Sequence, residues 1–193
     1  MYTIKKEIIY SQNIKKSLFI CHLKNITNLE EANLYLDYIK NKYRDATHHC
    51  YSYIIGENAQ IYRQSDDGEP KKSAGTPIYE VLRGANLSNI ICIVIRYFGG
   101  IKLGVGGLIR AYSSSTKEAL KLAELEEIII YENLTLIFNY ELVNKITNFL
   151  ANYQLITKEF SEKVKCIYQI PQKEISTVKQ NLISLTNNNI EIL

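Results

Sequence analysis

Alternating and uniformly apolar stretches predict most of the strands in the first half of the chain. Residues 2–10 and 17–26 are rich in isoleucine, leucine and phenylalanine, and we expect them to pair as a hairpin around Gln12–Asn13. Residues 90–95 are almost wholly apolar and β-branched, which is typical of a strand covered on both faces and central in its sheet. A second strand pair with an intervening turn is expected at 48–55, 56–58 and 59–63.

Three-and-four-residue spacing of apolar positions predicts the helices between these strands. Asn28 and Glu31 have the spacing of a capping box at the start of the first helix. We expect a short helix over 77–83 with Thr76 as its cap, and a longer one over about 107–122 after the central strand. The apolar face of the first helix is formed by Ala32, Tyr35, Leu36, Ile39 and Tyr43.

The distribution of glycine divides the chain. All nine glycines lie between residues 56 and 107, and an acidic run at 124–127 follows, so we expect two domains, 1–128 and 129–193. Periodicity in the second domain predicts strand, helix, hairpin, helix and strand, and this βαββαβ order is that of a ferredoxin-like sandwich. The chain as a whole is therefore expected to be an α+β protein.

Composition favours a soluble globular protein and argues against a membrane-spanning or secreted one. Hydrophobic residues make up 46% and charged residues 22% of the 193 positions. The longest strongly apolar run has six residues, and the start of the chain lacks a signal-peptide pattern, so we expect a cytoplasmic protein without a membrane segment. The four cysteines have no short paired spacing and are expected to be buried, reduced thiols.

The segment RYFGGIKLGVGGLIRAY, residues 96–112, carries the most distinctive candidate chemistry. Glycines let the backbone approach a ligand closely, and a following helix directs its free amides and positive dipole end toward the loop. The segment lacks the Gly-Lys-Ser/Thr ending and the spacing of nucleotide-binding motifs. It therefore predicts an anion site formed by Arg96, Gly99, Gly100, Lys102, Gly104, Gly106, Gly107 and Arg110.

Local charge supports an anionic partner. Residues 60–121 hold nine Lys or Arg against five acids, whereas residues 131–193 are neutral. A basic strip on the helix after the glycines could follow a nucleic-acid backbone, and it consists of Arg110, Ser114, Lys117 and Lys121. The alternative is that this is only the solvated helix face and that the glycines only permit a tight crossover.

An acidic segment upstream of the loop allows an enzymatic alternative. Asp66, Asp67 and Glu69 could ligate a metal ion or perform acid–base chemistry, although a capped turn explains the same residues. The run 47–50, with two histidines and a cysteine, lacks a second pair of zinc ligands. We predict no catalytic residue, metal or cofactor, and the oligomeric state stays open.

Several motifs in order resemble those of the IMPACT/YigZ family over about residues 15–125. They are Asp66-Asp67-Gly68-Glu69-Pro70, Ala74-Gly75-Thr76-Pro77, Arg96 to Gly104, Gly106-Gly107-Leu108 and Arg110-Ala111-Tyr112. The resemblance implies a first domain like ribosomal protein S5 domain 2 and a second like domain V of elongation factor G. Lys71 and Lys72 replace the family's usual Ser-Gly, which adds positive charge and puts in doubt any role that needs the small pair.

The resemblance also implies a function in translation. Both folds recur in translation proteins that contact RNA, and eukaryotic relatives oppose activation of the kinase that phosphorylates initiation factor 2. The leading hypothesis is a non-enzymatic RNA- or ribosome-associated regulator of translation. Phosphates would meet the glycine loop with Arg96, Lys102 and Arg110, together with Lys71 and Lys72. The alternatives are a protein-interaction module without nucleic-acid affinity, with a translation-related partner, and an enzyme centred on Asp66, Asp67 and Glu69.

Overall fold

The protein is described here from a computed structural model that covers residues 1–56 and 58–193. The chain divides into two compact units, Met1–Ile128 and Ile129–Leu193. Among the described residues, no helix combines the length and apolar character needed to cross a membrane.

In residues 1–56 and 58–128 the first unit combines seven strands with three helices. In chain order its elements are β1 (Tyr2–Ile4), β2 (Ile8–Ile14), β3 (Ser17–Asn25), α1 (Leu29–Lys42), β4 (His48–Ile55), β5 (Ile61–Ser65), α2 (Gly75–Gly84), β6 (Ile90–Tyr97), α3 (Val105–Lys121) and β7 (Leu125–Glu127). Five strands form an antiparallel sheet in the order β2-β3-β6-β4-β5, and β1 pairs with β7. The single strand expected over 2–10 is wrong: β1 and the start of β2 are separate strands in different sheets. The three-residue β7 is too short for a periodicity to reveal it.

Strand β6 is central, as its apolar sequence predicts. Its odd-numbered residues Ile91, Ile93 and Ile95 pack in one core cluster with residues of α1. Its even-numbered residues Cys92 and Val94 pack in a second cluster with residues of α2 and α3. Because both faces of the sheet are covered, β6 is buried from its first residue through Arg96.

The predicted start of α1 is confirmed, whereas the predicted turn of the first hairpin is wrong. Asn28 caps α1, because its Oδ1 accepts from the Glu31 N–H at 2.9 Å, which confirms the predicted cap. The predicted turn at Gln12–Asn13 is wrong: β2 continues to Ile14, and the chain turns at Lys15 and Lys16, both with positive φ. The turn predicted at 56–58 includes Glu57, which lies outside the described residues.

The second unit has the βαββαβ element order that its periodicity predicts. Its elements are β8 (Tyr131–Phe138), α4 (Val143–Phe149), β9 (Gln154–Phe160), β10 (Val164–Pro171), α5 (Ile175–Leu185) and β11 (Ile190–Ile192). The strands form an antiparallel sheet in the order β11-β8-β10-β9. Ile146 of α4 and Leu182 of α5 join the alternating apolar residues of β8 and β10 in one core.

Candidate anion-binding site

The glycine loop is anchored to the sheet immediately after β6. The Phe98 N–H donates to Thr47 Oγ1 at 3.0 Å, and the Gly99 N–H donates to Ser17 Oγ at 3.2 Å. A Cβ on Gly99 would lie 1.9 Å from the Lys16 carbonyl oxygen, so only glycine permits this approach to the β2–β3 turn. The start of the loop is therefore held rigidly beside that turn.

The loop ends at a helix start that no side chain caps. Gly104, with φ +70°, is the N-cap residue of α3 and has no side chain to offer, and the first helical bond runs from Leu108 N–H to the Gly104 carbonyl. The N–H groups of the first helical turn, from Val105 to Gly107, therefore lie beyond the reach of helical acceptors. Residues 104–106 are exposed, so these amides and the positive end of the helix dipole are open to an anion.

Exposed cations lie near this helix start and along the loop that precedes it. Lys102 precedes it and Arg110 lies one turn into α3, and both are exposed. Lys15 and Lys16 are also exposed, in the turn whose backbone contacts Gly99. In the described part of the chain, none of these four side chains forms an ion pair. Sequence reasoning missed the two lysines of the turn because it placed the turn three residues too early.

Arg96 is not part of this exposed surface, which corrects the prediction that it faces an anion. The residue is 4% exposed, and its Nη1 donates to Glu69 Oε1 at 2.6 Å. Its guanidinium carbon lies 5.3 Å from the ring centroid of Phe98 and 5.5 Å from that of Phe19. Because β6 alternates, Arg96 shares the face of Cys92 and Val94, and that face is covered by α2 and α3.

Glu69 is the centre of a buried polar cluster. Its Oε1 accepts from the Tyr112 hydroxyl at 2.8 Å as well as from Arg96, and the Cys50 thiol donates to that hydroxyl oxygen at 3.3 Å. Burial raises the pKa values of the Cys50 thiol and the Tyr112 phenol far above their usual range, so both remain protonated. The cluster connects the acidic segment to β6 and α3.

The other two carboxylates of the acidic segment bind backbone amides. Asp66 Oδ1 accepts from the N–H groups of Ala74 and Gly75 at 3.0 and 2.9 Å, so Asp66 caps α2. The predicted cap Thr76 is wrong, because its hydroxyl donates to Gln64 instead. Asp67 Oδ2 accepts from the His49 N–H at 2.6 Å.

The acidic segment therefore does not gather its carboxylates around one ligand. Asp66, Asp67 and Glu69 face three different sets of partners, and the described residues contain no group of three or more His, Cys, Asp or Glu that could hold a metal ion. The geometry matches the turn interpretation of this segment. Lys71 and Lys72 lie on it with exposed side chains, and the Lys72 N–H donates to Asp66 Oδ2 at 2.7 Å.

The basic strip on α3 is exposed only in part. Ser114 is half-buried, and its hydroxyl accepts from the amide of Gln12 at 3.0 Å, so it contacts β2. Lys121 donates to Glu118 at 2.7 Å, within the same helix. Arg110 therefore remains the member closest to the glycine loop and without an ion pair among the described residues.

The first unit is thus an α+β domain with a glycine loop before an uncapped helix, and a known protein family matches this part of the chain. Residues 15–120 match the family model described as the Impact N-terminal domain, which spans more than half of the chain. The chain therefore belongs to the IMPACT family, and the resemblance found in the motifs is confirmed.

Relatives and a solved structure match nearly the whole chain. The IMPACT family member YvyE of Bacillus subtilis is 38% identical over 193 residues, covering 99% of this chain and 89% of that protein. YigZ of Escherichia coli, also of the IMPACT family, is 28% identical over 94% of this chain and 91% of its own length. The crystal structure of a hypothetical protein aligns with 100% of this chain and 95% of its own at 27% identity, with a TM-score of 0.70. The α+β fold is thus shared with a solved protein.

Proposed function

We propose that this protein is a non-enzymatic, RNA- or ribosome-associated regulator of translation in the cytoplasm. The observation that carries the proposal is the exposed, uncapped start of α3 with Lys102 and Arg110, preceded by a loop that contacts the turn of Lys15 and Lys16. None of these four side chains forms an ion pair among the described residues. We refer to these four side chains and the amides of residues 105–107 as the loop surface.

Electrostatics favour an extended polyanion at the loop surface. Helix-start amides and cations both bind phosphate oxygens, and an anion at such a site gains from each. Two carboxylates of the acidic segment are already engaged elsewhere, because Glu69 pairs with Arg96 and Asp66 caps α2. Cations supplied by two separate chain segments suit consecutive phosphates of a polymer better than one small ion.

Family membership supports the translation part of the proposal. The family resemblance implies a role in translation, because eukaryotic relatives oppose activation of the kinase that phosphorylates initiation factor 2. We also propose that residues 1–128 have a fold like S5 domain 2 and that residues 129–193 form a ferredoxin-like domain. The strand order β11-β8-β10-β9 with βαββαβ connectivity supports the second assignment. Function resides in the site and not in the fold, so the test addresses the loop surface.

A charge-matched pair of double variants tests RNA binding at this surface. Lys102→Ala with Arg110→Ala removes one lysine and one arginine from the loop surface. Lys40→Ala with Arg44→Ala removes the same charges from the last turn of α1 and the residues just after it. Helix α1 packs on the face of the sheet opposite to α2 and α3. Binding of labelled single-stranded RNA is measured by fluorescence anisotropy across a salt series.

The loop-surface variant should bind more weakly and with a smaller salt dependence. Each phosphate contact contributes about 0.7 to the slope of log K against log salt for single strands, so losing two lowers the slope by about 1.4 and weakens binding about 20-fold near 0.1 M salt. The control variant should keep the wild-type slope. Binding that is insensitive to salt, or that weakens equally in both variants, would contradict phosphate contact at the loop surface.

A further inference from the structure

One aromatic side chain is exposed where the glycine loop begins. Phe98 is 45% exposed, although it directly follows the buried end of β6. The exposed apolar residues Ile101 and Val105 follow in the same loop and at the start of α3. Exposed apolar residues in the loop that also carries Lys102 would suit a ligand with both negative charge and apolar surface.

The position of Phe98 is fixed from several sides. Its own N–H is held by Thr47 and the next N–H by Ser17. The Arg96 guanidinium lies 5.3 Å from the ring centroid, and Glu69 holds that guanidinium in place. A ring that is already ordered loses little conformational entropy when a ligand stacks on it.

We propose that Phe98 is a stacking platform for an unpaired base, so that the loop surface selects single-stranded over double-stranded RNA. This inference rests on the proposed function, since it names the class of RNA that the same surface binds. Single-stranded RNA offers phosphates to the cations and planar, apolar base faces to an exposed aromatic ring. A duplex offers the same phosphates but keeps its bases stacked inside.

The absence of tryptophan from the chain permits a direct test. Phe98→Trp creates the sole tryptophan of the protein, and its indole fluorescence reports stacking at this position. The matched control is Phe160→Trp. Phe160 is 61% exposed in the second unit and likewise has a cation near its ring, with Lys158 Nζ 5.3 Å from the centroid.

The variants are titrated with a single-stranded oligonucleotide and with a duplex of the same sequence. We expect the single strand to quench the fluorescence of Phe98→Trp and to bind it at least as tightly as the wild type. The duplex should quench little, and Phe160→Trp should respond to neither. Phe98→Ala and Phe98→Leu should each weaken single-strand binding by about 5-fold or more, since stacking needs a planar ring, and should leave duplex binding unchanged.

The outcomes separate this inference from the function on which it rests. If single strand and duplex bind equally, or if Phe98→Leu retains full affinity, the stacking role is wrong while RNA association stands. If Phe98→Ala weakens both RNAs equally, the ring acts through the fold and the inference fails. If the wild type binds neither RNA, the proposed function itself fails. If it binds instead an acidic, aromatic-rich peptide through Phe98, the surface is a protein-interaction site.

Discussion

Replacing Glu69 by glutamine should strongly destabilise the first unit. The side chains of Glu69 and Arg96 are only 4% and 5% exposed, and their 2.6 Å contact neutralises a charge that water cannot reach. Glu69→Gln preserves the size of the side chain but leaves the guanidinium without a countercharge. Among the described residues the Arg96 Nε has no hydrogen-bond partner and Nη2 has only the neutral Ser17 hydroxyl at 3.4 Å, so no second carboxylate compensates.

The expected loss can be set against an exposed pair with almost the same geometry. Removing one partner of a buried ion pair typically costs about 3–5 kcal/mol. Lys121 and Glu118 are 2.7 Å apart, but their side chains are 68% and 39% exposed, so Glu118→Gln should cost at most about 0.5 kcal/mol. The contrast isolates burial, because the distance between the charged atoms is nearly equal in the two pairs.

Hydrogen exchange measures the effect in each unit separately, which avoids assuming one cooperative unfolding transition for two units. In Glu69→Gln the most protected amides of β6 should exchange about 150-fold faster, which corresponds to about 3 kcal/mol. Amides of β10 in the second unit provide the internal reference and should not change. A change in β6 below about 1 kcal/mol, or one that Glu118→Gln reproduces, would refute the argument from burial.

Two further predictions concern the first unit. Gly99→Ala should lower the free energy of unfolding by at least about 1–3 kcal/mol, because its Cβ would lie 1.9 Å from the Lys16 carbonyl oxygen. Gly84→Ala should be neutral or slightly stabilising, because a Cβ there meets nothing within 4 Å. Equal melting temperatures of the two variants would contradict this. Burial lowers the pKa of the His22 imidazole from 6.5, more than the nearby Glu7 carboxylate raises it. As pH falls, His22 is therefore protonated in the unfolded chain before it is protonated in the folded one, which favours unfolding. The stability advantage of the wild type over His22→Gln, measured by urea titration, should shrink below pH 6.5. An advantage that does not change with pH would contradict this.

The sequence predicts elements whose signals are local. Strand β6 follows from its uniformly apolar residues, and the start of α1 follows from Asn28 and Glu31, which are only three positions apart. The turn of the first hairpin was misplaced because Gln12 and Asn13 are common turn residues. In the fold, Gln12 pairs with Phe19 of β3 and its side chain contacts α3. The contact with α3 involves residues about 100 positions away, so no local pattern could reveal it.

The site could be predicted only in part because its partners are distant along the chain. Glycines before a helix indicate an open helix start. The burial of Arg96, however, depends on Glu69 and Tyr112, which are 27 and 16 positions away, and on the elements that cover its face of the sheet. The sequence did contain one indication. Arg96 directly follows a strand that is covered on both faces, and a buried arginine needs an acidic partner, which Glu69 of the acidic segment could supply.

The proposed function depends on phosphate binding by the amides at the start of α3. Backbone amide shifts of the wild-type protein, followed by NMR during titration with a single-stranded oligonucleotide, test it most directly. The account predicts the largest shifts at Val105, Gly106 and Gly107, with smaller ones at Lys102 and Arg110, and their loss at high salt. Shifts confined to β8–β11, or loop amides that stay unchanged at saturating oligonucleotide, would contradict it.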